Sequence, residues 1–298
     1  MYLNARAKVR NEVMRTSLAL LLAAALSVAV PAAASAAPGT PAADDWSCHP
    51  SAAHPHPVVL LHGTADSTAA WHDLEPRLAA RGYCAFAVDY GADWFTAYQV
   101  NAMGPIARSA RQVGAFIDRV RAATGVSAVD IVGHSQGGMI AEYYAQQHPG
   151  RVHSEALLAP VTHGTTLNGL VTFADASVVL RPLVDLGMYL TACPACADME
   201  QGSRFVRALN AGPITRSGVR YAVLATRADT TVTPAGTASF IREPGVRNDF
   251  VQDYCPAATT EHATFPQDPI AISWVLNALD PAHAQPIRCP ATARQDGN

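Results

Sequence analysis

The segment Gly133-His134-Ser135-Gln136-Gly137 places a serine between two glycines, after the apolar run Ala128–Val132 and before a helical stretch, Gln136–Gln147. A strand, a tight turn and a helix are what a nucleophile elbow requires. A side chain at either glycine would collide with neighbouring backbone, and the serine must accept a strained conformation to push its hydroxyl out. A serine hydroxyl is a poor nucleophile at neutral pH, so it needs a histidine base oriented by a carboxylate, and behind such an elbow they follow in the order Ser, acid, His. His262 and His283 come late enough. His262 is preferred because Glu261-His262-Ala263-Thr264-Phe265-Pro266 is a loop just ahead of the last helix, from which a base can reach back, whereas His283 follows that helix. Asp229 stands directly beyond the strand-like run Val219–Thr226, while Asp198, Asp249 and Asp253 follow no comparably clear strand. A tetrahedral intermediate also needs backbone donors for its oxyanion. The N–H of Gln136 supplies one, and the turn after His62-Gly63 makes Thr64 the second, with a hydroxyl that could add a third bond. His62 and His134 precede the acid and are read as structural.

The elements that must hold these residues alternate. Val58–Leu61 is a short apolar run, a helical stretch carries Trp71, Leu74 and Leu78 to a stop at Gly82, and Cys84–Val88 is again strand-like. Between Pro105 and Thr124, Ile106, Ala110, Val113, Ile117 and Val120 recur at steps of three and four, the pattern of an amphipathic helix closed by Gly125. Ala156–Leu158 and Val219–Thr226 are further strands, and Ile270–Leu279 is a final helix with Asp268 as its N-cap. Alternation at this spacing predicts an α/β fold with a mostly parallel, doubly wound sheet. The rhythm breaks over 162–218, an insertion expected over the C-terminal edge of the sheet, where open α/β sheets bind ligands. Its apolar residues Leu167, Leu170, Val171, Phe173, Val178, Val179, Leu180, Leu183 and Leu186 either line an acyl pocket, form a lid or bury a small core of their own.

The chain of 298 residues carries 21 basic and 24 acidic side chains, a formal charge of −3. Residues 1–36 look like a secretory signal: basic residues to Arg15, an apolar run Ser17–Val30, then Ala34-Ser35-Ala36 as the cleavage site. That run is about 14 residues, short of the roughly 20 that a membrane span needs. Residues 37–46 are a flexible lead-in, and 47–298 form the folded domain. Removing the leader takes away Arg6, Lys8, Arg10, Arg15 and Glu12, leaving about −6. Such a charge offers no footprint for nucleic acid or a stable anionic-membrane anchor. Lys8 is the only lysine, so the mature protein has none for a Schiff base, a pyridoxal cofactor or a P-loop. Cys48, Cys84, Cys193, Cys196, Cys255 and Cys289 all lie in the mature part, an even number suited to an oxidising, extracellular compartment. The close pair Cys193-Pro-Ala-Cys196 suggests one short bridge, which leaves Cys48–Cys84 and Cys255–Cys289 as sequential pairs. Each of these closes a loop worth on the order of 3 to 4 kcal/mol. A redox motif or half of a zinc site is the alternative for the close pair, but no second Cys/His pair at metal spacing accompanies it.

Taken together, Pro57–Thr64, Gly133–Gly137, Ala225–Asp229 and Glu261-His262 resemble the secreted actinobacterial lipases and esterases of the α/β-hydrolase fold known as class 2 lipases. The Cys-Pro-Ala-Cys insertion and outer cysteines are similar too, and the likeness spans roughly residues 46–290. It implies a lid or cap inserted after the sixth strand, a Ser135-Asp229-His262 triad and an oxyanion hole at Thr64 and Gln136. It further implies hydrolysis of acylglycerols or simpler esters without a cofactor; no acidic cluster resembles a calcium site, so no metal is expected, and a lipid–water interface is an expected place of action. A polyester hydrolase, an amidase, an acyltransferase or a non-catalytic binding protein on the same scaffold remain alternatives at this stage. Acyl-chain preference and oligomeric state are not legible.

Overall fold

The computed structural model describes residues 44–168 and 193–290, which belong to one compact unit, Thr40–Asn298. The proposed signal, most of the lead-in and the middle of the expected insertion, from Leu170 to Leu186, lie outside the described residues.

Six strands, β1 (Val58–Leu61), β2 (Ala85–Val88), β3 (Val129–His134), β4 (Val152–Leu158), β5 (Arg220–Ala225) and β6 (Arg247–Phe250), form one all-parallel sheet in the order β2-β1-β3-β4-β5-β6. The run Val58–Leu61 is wholly buried, as expected of a strand covered on both faces, and its residues divide by period two. Val59 and Leu61 pack with Ile106, Val113 and Ile117 of α2 (Ile106–Thr124) and Met139 of α3 (Gln136–Gln147). Val58 and Leu60 pack with Leu78 of α1 (Glu75–Ala80) and with Ile270, Trp274 and Val275 of the last helix (Pro269–Leu279). Two cores, one on each face, are the doubly wound architecture that the alternation predicts.

The stretch through Trp71 and Leu78 is a 3-10 turn, Thr68–Trp71, followed by the short α1, with Pro76 in the helix's first turn. Strand β4 starts four residues before the expected Ala156, because its first half, Val152-His153-Ser154-Glu155, is polar in sequence yet largely buried. No strand precedes β1 among the described residues, so the segment 162–218 leaves the fourth strand in chain order and not a sixth. Its described part holds the short helices α4 (Pro194–Met199) and α5 (Arg204–Leu209). The helix α6 (Val251–Tyr254) follows β6, which makes Pro269–Leu279 the seventh, α7, with Asp268 accepting from the N–H groups of Ile270 and Ala271 as its cap. Disulfides join Cys48 to Cys84, Cys193 to Cys196 and Cys255 to Cys289, and no free cysteine remains among the described residues.

From β1 the chain moves one way to β2, and from β3 the other way to β4. The reversal opens a crevice beyond the C-terminal ends of β1 and β3. Thr64 follows β1 and Ser135 follows β3.

Candidate active site

Ser135 sits at φ 55° and ψ −120°, a sparsely populated conformation for a residue with a side chain. The turn is held by backbone: the Ser135 N–H donates to the Leu158 carbonyl at 2.9 Å, and its own carbonyl accepts from Gly138 N–H at 3.0 Å. The flanking glycines answer to close approach. A methyl at Gly133 would meet the Gly137 carbonyl group at 2.8 Å, and one at Gly137 would meet the Leu61 carbonyl oxygen at 2.2 Å. Strand β1 and the start of α3 therefore touch main chain to main chain, and that contact brings the turn after β1 beside the serine.

His262 Nε2 lies 3.0 Å from Ser135 Oγ, and His262 Nδ1 lies 2.7 Å from Asp229 Oδ2. A carboxylate can only accept, so Nδ1 carries the ring proton and Nε2 is left to accept from the serine hydroxyl. The other carboxylate oxygen of Asp229 accepts from the N–H groups of Thr231 and Val232, both at 2.8 Å. Three donors thus converge on one buried carboxylate, reached from the end of β5. All three side chains are buried to within a tenth of their surface.

The other acids and the second histidine are engaged elsewhere. Asp198 caps α2 by accepting from Ile106 N–H, Asp253 pairs with Arg227, and Asp249 accepts from Trp274 Nε1. His283 is exposed and pairs with Asp280.

His62 and His134 are buried, as supports of the site. His134 Nε2–H donates to the His262 carbonyl at 3.0 Å, holding the loop that carries that ring. Burial first, and the neighbouring His262 second, push His134 well below the usual imidazole range, so it stays neutral beside the base. Burial likewise lowers His62, whose ring stacks on Tyr90 while the Tyr90 hydroxyl donates to the His62 carbonyl. Tyr90 thereby braces the turn that carries Thr64, a role with no sequence signal, since Tyr90 simply follows β2.

Gln136 is the first residue of α3, where N–H groups have no partner within the helix. The Thr64 hydroxyl donates to Gln136 Oε1 at 2.6 Å, so it links the two proposed donors in place of facing the substrate. A cavity of about 530 Å³ opens over Ser135, lined by Thr64, Val161, Leu167, Met199 and Val232 among others. That volume suits a small organic ligand. Met199 and Cys196 reach it because Thr165 N–H donates to the Met199 carbonyl, which draws the short Cys193–Cys196 turn against the cavity wall. Among the described residues no group of three or more His, Cys, Asp or Glu side chains could hold a metal ion, and no helix is long and apolar enough to cross a membrane.

Residues 55–273 match the family model described as lipase (class 2). Over 136 residues the chain is 29% identical to a triacylglycerol lipase of Burkholderia plantarii, covering 44% of this chain and 35% of that one. The chain spans at most 35% of the length of the curated relatives it matches here. Among solved structures it is similar to Aspergillus fumigatus lipase B, with a TM-score of 0.59 at 18% identity over 85% of this chain and 61% of that one. The mature form of a Bacillus licheniformis lipase gives a TM-score of 0.55 at 17% identity, covering 81% and 96%. At such identities the structures speak to the α/β-hydrolase fold, and the match of the family model over most of the chain adds the relationship: this protein belongs to the class 2 lipase family.

Proposed function

We propose that this protein is a secreted serine hydrolase of carboxylic esters, a triacylglycerol lipase or carboxylesterase working through an acyl-serine intermediate. The observation that carries the reading is the continuous hydrogen-bonded chain Ser135–His262–Asp229 at the floor of a largely apolar cavity. Ser135 Oγ attacks the ester carbonyl carbon while His262 Nε2 takes its proton, and Asp229 holds the imidazole in the required tautomer and steadies the imidazolium. The N–H groups of Thr64 and Gln136 receive the oxyanion. His262 then protonates the departing alcohol, and water attacks the acyl-serine by the same route in reverse. The acyl chain rests against Val161, Leu167, Met199 and Val232. No cofactor enters any step. Export through the 1–36 leader is supported by the three disulfides, which persist in oxidising compartments.

The test is initial rates of the purified protein on p-nitrophenyl esters from acetyl to palmitoyl, with Ser135→Ala as the blank. Serine-dependent turnover is expected, and the chain-length profile separates a lipase from a short-chain esterase. Rates equal to the blank at every length overturn the proposal.

A further inference from the structure

Besides the proposed machinery, one charged side chain among the described residues faces the cavity: Asp66, half-buried on the turn after β1. The turn is shaped to present it. Ala65 sits at φ 58° and its N–H donates to the Asn101 carbonyl at 3.2 Å, while Asp66 Oδ1 accepts from Ser67 N–H at 2.8 Å. That bond fixes the carboxylate but leaves its charge uncompensated, and no cationic side chain pairs with Asp66 among the described residues.

The cavity has two walls, each knit by its own hydrogen bonds. The Thr165 hydroxyl donates to the Thr231 carbonyl at 2.6 Å and Thr165 N–H to Met199, gathering the apolar wall of Val161, Leu167, Met199 and Val232. The other wall consists of the turn after β1 and the loop after His262, joined where Gln267 Nε2 donates to the Ala70 carbonyl at 3.2 Å. This wall carries Asp66 and Gln267. Because His262 must protonate the leaving oxygen, the alcohol half of an ester lies towards the loop that His262 begins, and the acyl half keeps the apolar wall.

We propose that Asp66 sets a charge filter on the alcohol side of the site, favouring esters of cationic and neutral alcohols over esters of anionic ones. The proposal rests on the ester-hydrolase reading above. A fixed negative charge in a partly dehydrated cleft attracts or repels a charged leaving group in binding and in the transition state alike, so the effect falls on kcat/KM.

The probes are three butyrate esters of similar size: butyrylcholine, its uncharged analogue 3,3-dimethylbutyl butyrate, and 3-sulfopropyl butyrate. In wild-type protein kcat/KM is expected to fall in that order, by about three- to tenfold at each step at low ionic strength. Asp66→Asn keeps the acceptor for Ser67 N–H and removes the charge, and is judged on the ratios among its own three substrates, so a general loss of rate cancels. The expected result is that both ratios shrink towards one. Raising salt to about 0.5 M should compress the wild-type ratios in the same direction, as an electrostatic origin requires, and should move those of Asp66→Asn less. Ratios unchanged by the substitution overturn the filter, whether or not salt compresses them. Hydrolysis of 3,3-dimethylbutyl butyrate no faster than by Ser135→Ala overturns the hydrolase reading itself, a result separate from any ratio.

Discussion

Among the buried carboxyl groups of the described residues, two places treat theirs in opposite ways. At the end of β5 Asp229 collects three donors, two backbone N–H groups and the His262 ring. Where α3 packs on β4, Glu142 and Glu155 are buried, and neither Glu155 oxygen has a hydrogen-bond partner among the described residues. Burial pushes Glu142 up to about 8, and raises Glu155 well above the carboxylate range with Glu142 adding to it. One donor offsets only part of this: the Thr162 hydroxyl donates to Glu142 Oε1 at 2.6 Å, which lowers the carboxyl by less than burial raises it. Burial therefore comes with a full set of donors at one place, and at the other, where donors are scarce, it favours the neutral acid.

The comparison can be broken by the largest effects first. Ser135→Ala should lower kcat on a p-nitrophenyl ester by about 10⁴-fold or more, leaving only what the oxyanion donors and binding contribute. Asp229→Asn keeps the shape but allows the wrong imidazole tautomer, and should cost about 10³- to 10⁴-fold in kcat with little change in KM. The same carboxyl-to-amide change at Glu142 should spare activity and act on stability. The sign follows from linkage: the folded protein keeps a proton that the unfolded chain releases near 4.5, the ordinary value of a glutamate, so this contribution is whole below that pH and drains away as pH rises towards 8. Thermal unfolding of Glu142→Gln should then resemble wild type at pH 4 and exceed it by on the order of 5 °C at pH 8. Equal melting curves at pH 8 would remove the neutral-acid reading of that region. The smallest effect is sought at Thr64→Val. With its hydroxyl bound to Gln136, kcat should fall by about tenfold or less, whereas a loss near 10²-fold would place that hydroxyl on the oxyanion itself.

Much of this was legible in the sequence, and what was not has physical reasons. Ser135, Asp229 and His262 are found from residue type, chain order and position after a strand or before the last helix, because the sheet brings strand ends to one rim whatever the loops do. Helix α2 announces itself by spacing, and Asp268 by its place ahead of Pro269. Strand β6, Arg247-Asn248-Asp249-Phe250, escapes notice because it is an edge strand, short and polar, with no face to bury on one side. The first half of β4 hides for the opposite reason, since Glu155 is buried against every expectation of its type. Asp66 and Tyr90 depend on which loops meet in space, as does the Thr64 hydroxyl, whose partner is 72 residues away.

The crowded glycines of the elbow also carry a message for genetics. An alanine at Gly138 would strike Pro160 Cβ at 2.6 Å, and trimming that residue with Pro160→Gly takes the obstructing atom away. An alanine at Gly137 strikes the carbonyl oxygens of Leu61 and His62, which every amino acid possesses. A selection for revertants should therefore return second-site suppressors of the first lesion, and only true reversion of the second.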